Sequence, residues 1–171
     1  MLKWINDLMG NKNTDKGGDG RGLKLYAFLE GETVSLKDVP DQVFSKKILG
    51  TGMATMPSGN LLLSPIDGKV AAIMKRTGHS CCVRGEKGLE ILLHIGVNTV
   101  EMNGDGFEIL VTDGQEVKAG DPLLKFSPEK IKEAGLPLIS SMVITEMGEY
   151  RKVSFKTGEI VKKGDVIGEL N

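Results

Sequence analysis

Two histidines, His79 and His94, are the only imidazoles in this chain of 171 residues, and they stand fifteen residues apart. Imidazole is the side chain whose ordinary pKa, about 6.5, lies closest to neutrality, so a neutral ring is a nucleophile under ordinary conditions. His94 sits in Glu90-Ile91-Leu92-Leu93-His94-Ile95-Gly96-Val97. Read as a strand, this run puts Ile91, Leu93, Ile95 and Val97 on one face, and Leu92, His94, Gly96 and Asn98 on the other. With the first face on the core, His94 points outward from an apolar patch, and Gly96 leaves room beside it for a partner.

His79 follows the polar turn Lys75-Arg76-Thr77-Gly78 and leads into Ser80-Cys81-Cys82-Val83. Pairing of the strands that flank this turn would bring the two imidazoles within reach of each other. One ring would then act as nucleophile, while the other ring and the Thr77 hydroxyl donate hydrogen bonds to a phosphoryl group. Positioning and charge stabilisation are most of what phosphoryl transfer asks of a protein. Two other readings stay open on the residues alone. A histidine on an apolar strand is commonly a hydrogen-bonded structural residue. Alternatively, the two imidazoles with Cys81 or a carboxylate would make three zinc ligands around an open position, although the spacing matches no metal motif.

The remaining candidates are weaker. Gly50-Thr51-Gly52 lacks the rest of any nucleotide-binding pattern and reads as a turn. Ser140-Ser141 has no histidine near it in sequence and reads as strand filler or a bend. Asp41, Glu101 and Asp105 read as solvated loop acids unless the fold brings one beside the histidines.

The elements that must position these residues are mostly strands. Short apolar runs alternate with Gly and Asp turns at residues 23–28, 60–64, 69–74, 89–97, 107–111, 122–126 and 138–145. Such spacing predicts a barrel or sandwich. Only 128–135 has the signature of a helix, with Pro128 in its first turn and Gly135 at its end. A second short helical turn is expected near Pro40 to Lys46. A repeat adds to this: Gly114-Gln115-Glu116-Val117-Lys118-Ala119-Gly120-Asp121-Pro122-Leu123 recurs as Gly158-Glu159-Ile160-Val161-Lys162-Lys163-Gly164-Asp165-Val166-Ile167. Weaker echoes stand at Glu30-Gly31 and Asp67-Gly68. Paired hairpins of this kind predict two pseudo-symmetric halves around one core.

Composition bounds the function. A net charge of −1 with scattered lysines gives no field to attract nucleic acid. The two cysteines, Cys81 and Cys82, are adjacent and cannot build a disulfide framework, which fits a reducing cytoplasm. No apolar run reaches the roughly 18 residues of a membrane span. Residues 1–9 place Leu2, Ile5, Leu8 and Met9 at helical spacing, with Trp4 alongside, which suits a small amphipathic helix making at most weak membrane contact. Residues 10–22 are polar and glycine-rich and read as a flexible tether. A single domain is expected over 23–171.

Several ordered motifs resemble the glucose-type enzyme IIA proteins of the bacterial phosphoenolpyruvate-dependent sugar phosphotransferase system. They are Asp38-Val39-Pro40-Asp41-Gln42-Val43-Phe44, Gly50-Thr51-Gly52-Met53-Ala54, Pro57-Ser58-Gly59-Asn60, Ser64-Pro65-Ile66-Asp67-Gly68 and, most specific, Leu92 to Glu101 followed by Gly104-Asp105-Gly106-Phe107. The resemblance implies an antiparallel β-sandwich of two similar halves. It implies that His94 accepts phosphate through Nε2 from the small carrier HPr and donates it to a cysteine on the IIB domain of a sugar permease. His79 would hydrogen-bond the phosphoryl oxygens, with support from Thr77. Val43, Phe44 and Leu92 would belong to an apolar docking ring, with Asp41, Gly96 and Asn98 also at the partner surface. The protein would be a monomer with transient partners, regulatory targets among them. Zinc shared between His79, His94 and a partner's carboxylate is an optional extra. The sequence departs from the family in carrying Asn98 where Asp is common and Cys81 where an aromatic residue is common; Cys81 would make the docking ring less apolar. Two other classes compete: a zinc-dependent hydrolase on a related sandwich, and a lipoyl- or biotinyl-type carrier domain with Lys75 as its modified residue.

Overall fold

The computed structural model describes residues 22–171. The expected amphipathic start (1–9) and all of the expected tether but Gly22 lie outside them. Fourteen strands run through the described residues in chain order: β1 (Leu23–Tyr26), β2 (Gly31–Ser35), β3 (Thr51–Pro57), β4 (Leu61–Leu63), β5 (Gly68–Ile73), β6 (Ser80–Arg84), β7 (Glu90–His94), β8 (Phe107–Ile109), β9 (Glu116–Val117), β10 (Pro122–Phe126), β11 (Ser140–Glu146), β12 (Val153–Phe155), β13 (Ile160–Val161) and β14 (Val166–Leu170). Two short α-helices accompany them, α1 (Gln42–Ser45) and α2 (Pro128–Glu133). The helix expected at 128–135 is therefore present, capped by the Ser127 hydroxyl, which accepts from the Lys130 amide.

Eight strands form one antiparallel sheet in the order β13-β2-β3-β11-β7-β6-β5-β9, and two three-stranded sheets, β1-β14-β12 and β4-β10-β8, complete the fold. Alternate residues of the large sheet, among them Met53, Val83, Ile91, Leu93, Met142 and Ile144, share a core with Leu25, Leu62, Leu124 and Ile167 of the small sheets. This is the sandwich that the spaced apolar runs predict. The other face of the large sheet carries a second, smaller cluster of Ala54, Leu92 and Val143, covered by Leu36, Val39 and Phe44.

The repeat has the same geometry twice. Val117 pairs with Gly68 and Val161 with Gly31, so each weak Gly echo in the sequence lies beside one strong copy. Asp121 accepts from the Lys118 amide at 2.8 Å, and Asp165 accepts from the Lys162 amide at 2.8 Å. The two copies close opposite edges of the large sheet, and the central pair β11–β7 is the seam between the halves.

Two expectations fail locally. Gly50-Thr51-Gly52 is not simply a turn: Thr51 and Gly52 begin β3. A Cβ on Gly52 would come within 2.0 Å of the Met142 carbonyl oxygen, so glycine is what lets β3 lie against β11. The alternation around His94 also stops early, because β7 ends at His94. Val97 therefore packs with Leu92 in the outer cluster, away from Ile91 and Leu93.

Candidate active site

His94 is the last residue of β7, and its side chain faces the outer cluster. Gly96, at φ +63°, turns the chain back so that its carbonyl oxygen lies 2.8 Å from His94 Nδ1. A carbonyl oxygen only accepts, so Nδ1 carries the proton and Nε2 holds the ring's lone pair. The turn is itself pinned: the Gly96 amide donates to Ser140 Oγ at 2.9 Å, and that hydroxyl donates to the Leu138 carbonyl at 2.8 Å. The Thr99 hydroxyl donates to the Ile95 carbonyl from the other side of the turn.

His79 lies at the end of the turn between β5 and β6, and Ser80 on β6 pairs with His94 on β7. The two imidazole rings are 4.9 Å apart between centroids and stand edge to face at 82°. Thr77 Oγ1 is 2.7 Å from His79 Nδ1. Phe44, from α1, sets its ring 5.1 Å from that of His94. The helix that carries it is capped by Asp41, whose carboxylate accepts from the Val43 amide at 2.8 Å. The fold thus brings His79, His94, Thr77 and Phe44 together, with Asp41 capping the helix that carries Phe44.

Both rings are uncharged at neutral pH. Burial, with the charge of His94 as a smaller cause, holds His79 down to about 3. Burial holds His94 down to about 4, outweighing the hydrogen bond to Gly96 and the charge of Asp41, both of which favour the protonated ring. A neutral, oriented imidazole beside a second neutral imidazole can accept a phosphoryl group at Nε2 without first losing a proton.

Several expected site residues take different parts. The space beside Gly96 is not open to a partner: a Cβ there would meet Thr99 Cγ2 at 2.6 Å and the Pro137 oxygen at 2.8 Å. Leu92, with 1% of its surface exposed, and Phe44, with 3%, are packed inside the outer cluster, so neither forms an open docking face. Val43 is half-buried. Asn98 is half-buried at φ 59°, a left-handed conformation that Asn and Asp both tolerate, which accounts for either residue standing there. Cys81 pairs with Leu93 and faces the core, so it neither lines a docking ring nor reaches the histidines as a zinc ligand. Ser140 and Ser141, read as filler, instead lie beside His94, with Ser141 as its partner across β11–β7. No local signal marks them, because the contact exists only once β11 has paired.

Among the described residues no three His, Cys, Asp or Glu side chains converge on a metal site. The two imidazoles alone fall short of the three or four protein ligands zinc takes.

The comparisons with known proteins decide the family. Residues 23–150 match the family model described as phosphoenolpyruvate-dependent sugar phosphotransferase system, EIIA 1. This chain belongs to that EIIA family. It is 39% identical over 145 residues to a PTS system glucose-specific EIIA component of Staphylococcus epidermidis, covering 85% of this chain and 87% of that protein. It is 36% identical, with the same coverage, to the glucose-specific EIIA component of Haemophilus influenzae. A further match, 40% over 134 residues, spans 78% of this chain but 20% of a PTS system glucose-specific EIIBCA component of Corynebacterium glutamicum. In structure, this EIIA resembles the glucose permease IIA from Mycoplasma capricolum, with a TM-score of 0.83 at 34% identity, covering 90% of this chain and 99% of that one. The protein is a phosphocarrier of sugar phosphotransfer, and neither the zinc hydrolase nor the lipoyl-type carrier finds support. Lys75, the residue the latter would modify, forms an ion pair with Asp113 at 2.7 Å.

Proposed function

We propose that His94 is the phosphoryl acceptor, taking the group at Nε2 from the phosphohistidine of HPr and passing it to a cysteine on the IIB domain of a glucose-type sugar permease. One observation carries this reading: His94 Nδ1 is committed to the Gly96 carbonyl, which aims a neutral Nε2 lone pair away from the turn. In the transfer, the N–P bond of the donor phosphoimidazole breaks as the P–Nε2 bond of His94 forms. The proton stays on Nδ1, donated to the Gly96 carbonyl, which helps the ring bear its new bond. His79, oriented by Thr77, donates to a phosphoryl oxygen from 4.9 Å away between ring centres. The onward step is the same displacement with a cysteine thiolate as nucleophile and the His94 ring as leaving group.

The docking surface in this reading is the rim around the outer cluster, where Val34, Leu49, Ala72 and Met74 are partly exposed against buried Leu92 and Phe44. Val43 and Asp41 border it on α1. Such a shallow rim suits transient partners and a monomer working on the cytoplasmic side of the permease. Among the described residues no helix is long and apolar enough to cross a membrane.

The test is phosphoryl transfer from phosphoenolpyruvate through enzyme I and HPr to the purified protein, followed by intact mass. One acid-labile phosphoryl group that needs HPr and disappears in His94→Ala is the expected result. A label that persists in His94→Ala would overturn the assignment.

A further inference from the structure

On the outer face of the large sheet His94 has a serine on either side. Ser80 is its partner across β6–β7, and Ser141 is its partner across β11–β7. Directly cross-strand side chains on one face stand with their Cβ atoms about 5 Å apart, so both hydroxyls border the imidazole. The same row continues through Ala54 on β3, which pairs with Ser141. Its members beside the histidine are therefore small.

Both serines are fully buried, at 0% and 1% exposure, and neither hydroxyl oxygen has a hydrogen-bond partner. An unpaired buried hydroxyl costs free energy, and native interiors usually avoid it. Other buried serines here do avoid it: Ser64 donates to the Ile66 carbonyl at 2.7 Å, and Ser140 is paired on both sides. A third unpaired hydroxyl, that of Thr55, belongs to the neighbouring row beside Ser140 and does not flank the histidine. Two idle donors on opposite sides of one nucleophile call for a ligand with several acceptor oxygens.

A phosphoryl group is such a ligand, bringing roughly two negative charges and three acceptor oxygens. The row around His94 offers no Lys or Arg. The nearest charged row on these strands, Arg84 with Glu90, lies four residues along β7, or about 13 Å away. Stabilisation must then come from neutral donors. His94 itself is only 3% exposed, so its ring lies buried among these neighbours.

We propose that Ser80 and Ser141 are phosphoryl-binding residues, each donating one hydrogen bond to an oxygen of the group carried on His94. This rests on His94 being the phosphoryl acceptor. The serines keep their protons throughout; they orient and neutralise, while the bond changes occur at Nε2. Because the hydroxyls are unpartnered in the free protein and paired in the phosphoprotein, they favour the phosphorylated state rather than the fold. His79 approaches from the turn between β5 and β6, so the three donors would surround the group.

The experiment compares wild type, Ser80→Ala, Ser141→Ala and the double variant in phosphoryl exchange with HPr, alongside thermal unfolding. The exchange equilibrium of the double variant should shift toward phospho-HPr by about 100-fold or more, from loss of two hydrogen bonds to a charged group. Its phosphohistidine should hydrolyse faster, and its melting temperature should be unchanged or higher, since a methyl replaces an unsatisfied hydroxyl. If the double variant does not fold, each single variant should still shift the equilibrium by about 10-fold or more. An unchanged equilibrium and lifetime in folded variants would overturn the proposal, as would losses that merely track a lowered melting temperature. A wild-type label that survives His94→Ala would instead overturn the His94 assignment beneath it.

Discussion

The Nδ1 atom of His94 lies 2.8 Å from the carbonyl oxygen of Gly96, two residues further along the chain. This bond does three things for the site. It fixes the tautomer, it sets the direction of Nε2, and it offers an acceptor for the ring proton when the ring gains a substituent. The positive φ of Gly96 and the hydroxyl of Ser140 hold that carbonyl in place.

Gly96→Ala should therefore damage both fold and function. A Cβ at this position would meet Thr99 Cγ2 at 2.6 Å and the Pro137 oxygen at 2.8 Å, in a left-handed conformation that disfavours it. Overpacking and backbone strain together should cost about 3 kcal/mol, read as a lower denaturant midpoint. Phosphoryl acceptance should fall further than stability explains, because the shifted carbonyl no longer directs Nε2. Retention of wild-type acceptance would show that the turn does not orient the ring.

Ser140→Ala is the gentler version of the same perturbation. It leaves the buried Gly96 amide without its acceptor, a loss of about 1–3 kcal/mol. Ser141→Ala, one residue along and without a hydrogen-bond partner to lose, should cost no stability. Chemical denaturation of the two variants side by side checks the contrast, and equal losses would refute it.

His79→Gln should still accept phosphate but pass it on slowly, by about 100-fold. An amide can supply one donor, yet it lacks the ring that Thr77 orients at 2.7 Å. Rapid-quench measurement of transfer to the IIB domain separates this from failure to accept. Equal onward rates in variant and wild type would remove His79 from the chemistry.

How far this site could be read from sequence depended on the separation between its parts. The two histidines were legible because there are only two, and because one of them closes an alternating apolar run. The helix at 128–133, most strands and the duplicated hairpins were legible because their turn chemistry is local. Ser140 was not: its contact to Gly96 spans 44 positions and depends on β11 pairing with β7. Gly52 was misread for the same reason, since its role is to admit the backbone of β11. The end of β7 at His94 also escaped the pattern, because alternation alone does not register that Gly96 takes a positive φ. Whether Leu92 and Phe44 were open or covered depended on how α1 settles over the sheet, which no periodicity encodes.

The depressed pKa values of the two histidines make stability depend on pH in a definite direction. In the unfolded chain each ring takes up a proton near pH 6.5, whereas in the fold His94 resists until about 4 and His79 until about 3. Between those limits the unfolded state binds more protons than the folded one, so stability rises with pH across this window and falls as the solution is acidified. The contribution is fully present above about pH 6.5 and is lost on the way down to pH 3–4, amounting to about 3 kcal/mol for His94 and about 5 kcal/mol for His79. Denaturation midpoints at pH 7.5 and pH 5 should therefore differ, with the acidic sample weaker. In a folded His79→Gln variant the difference should shrink, because one of the two titrating groups is gone. A variant as acid-sensitive as wild type would place the linked protons elsewhere than on His79.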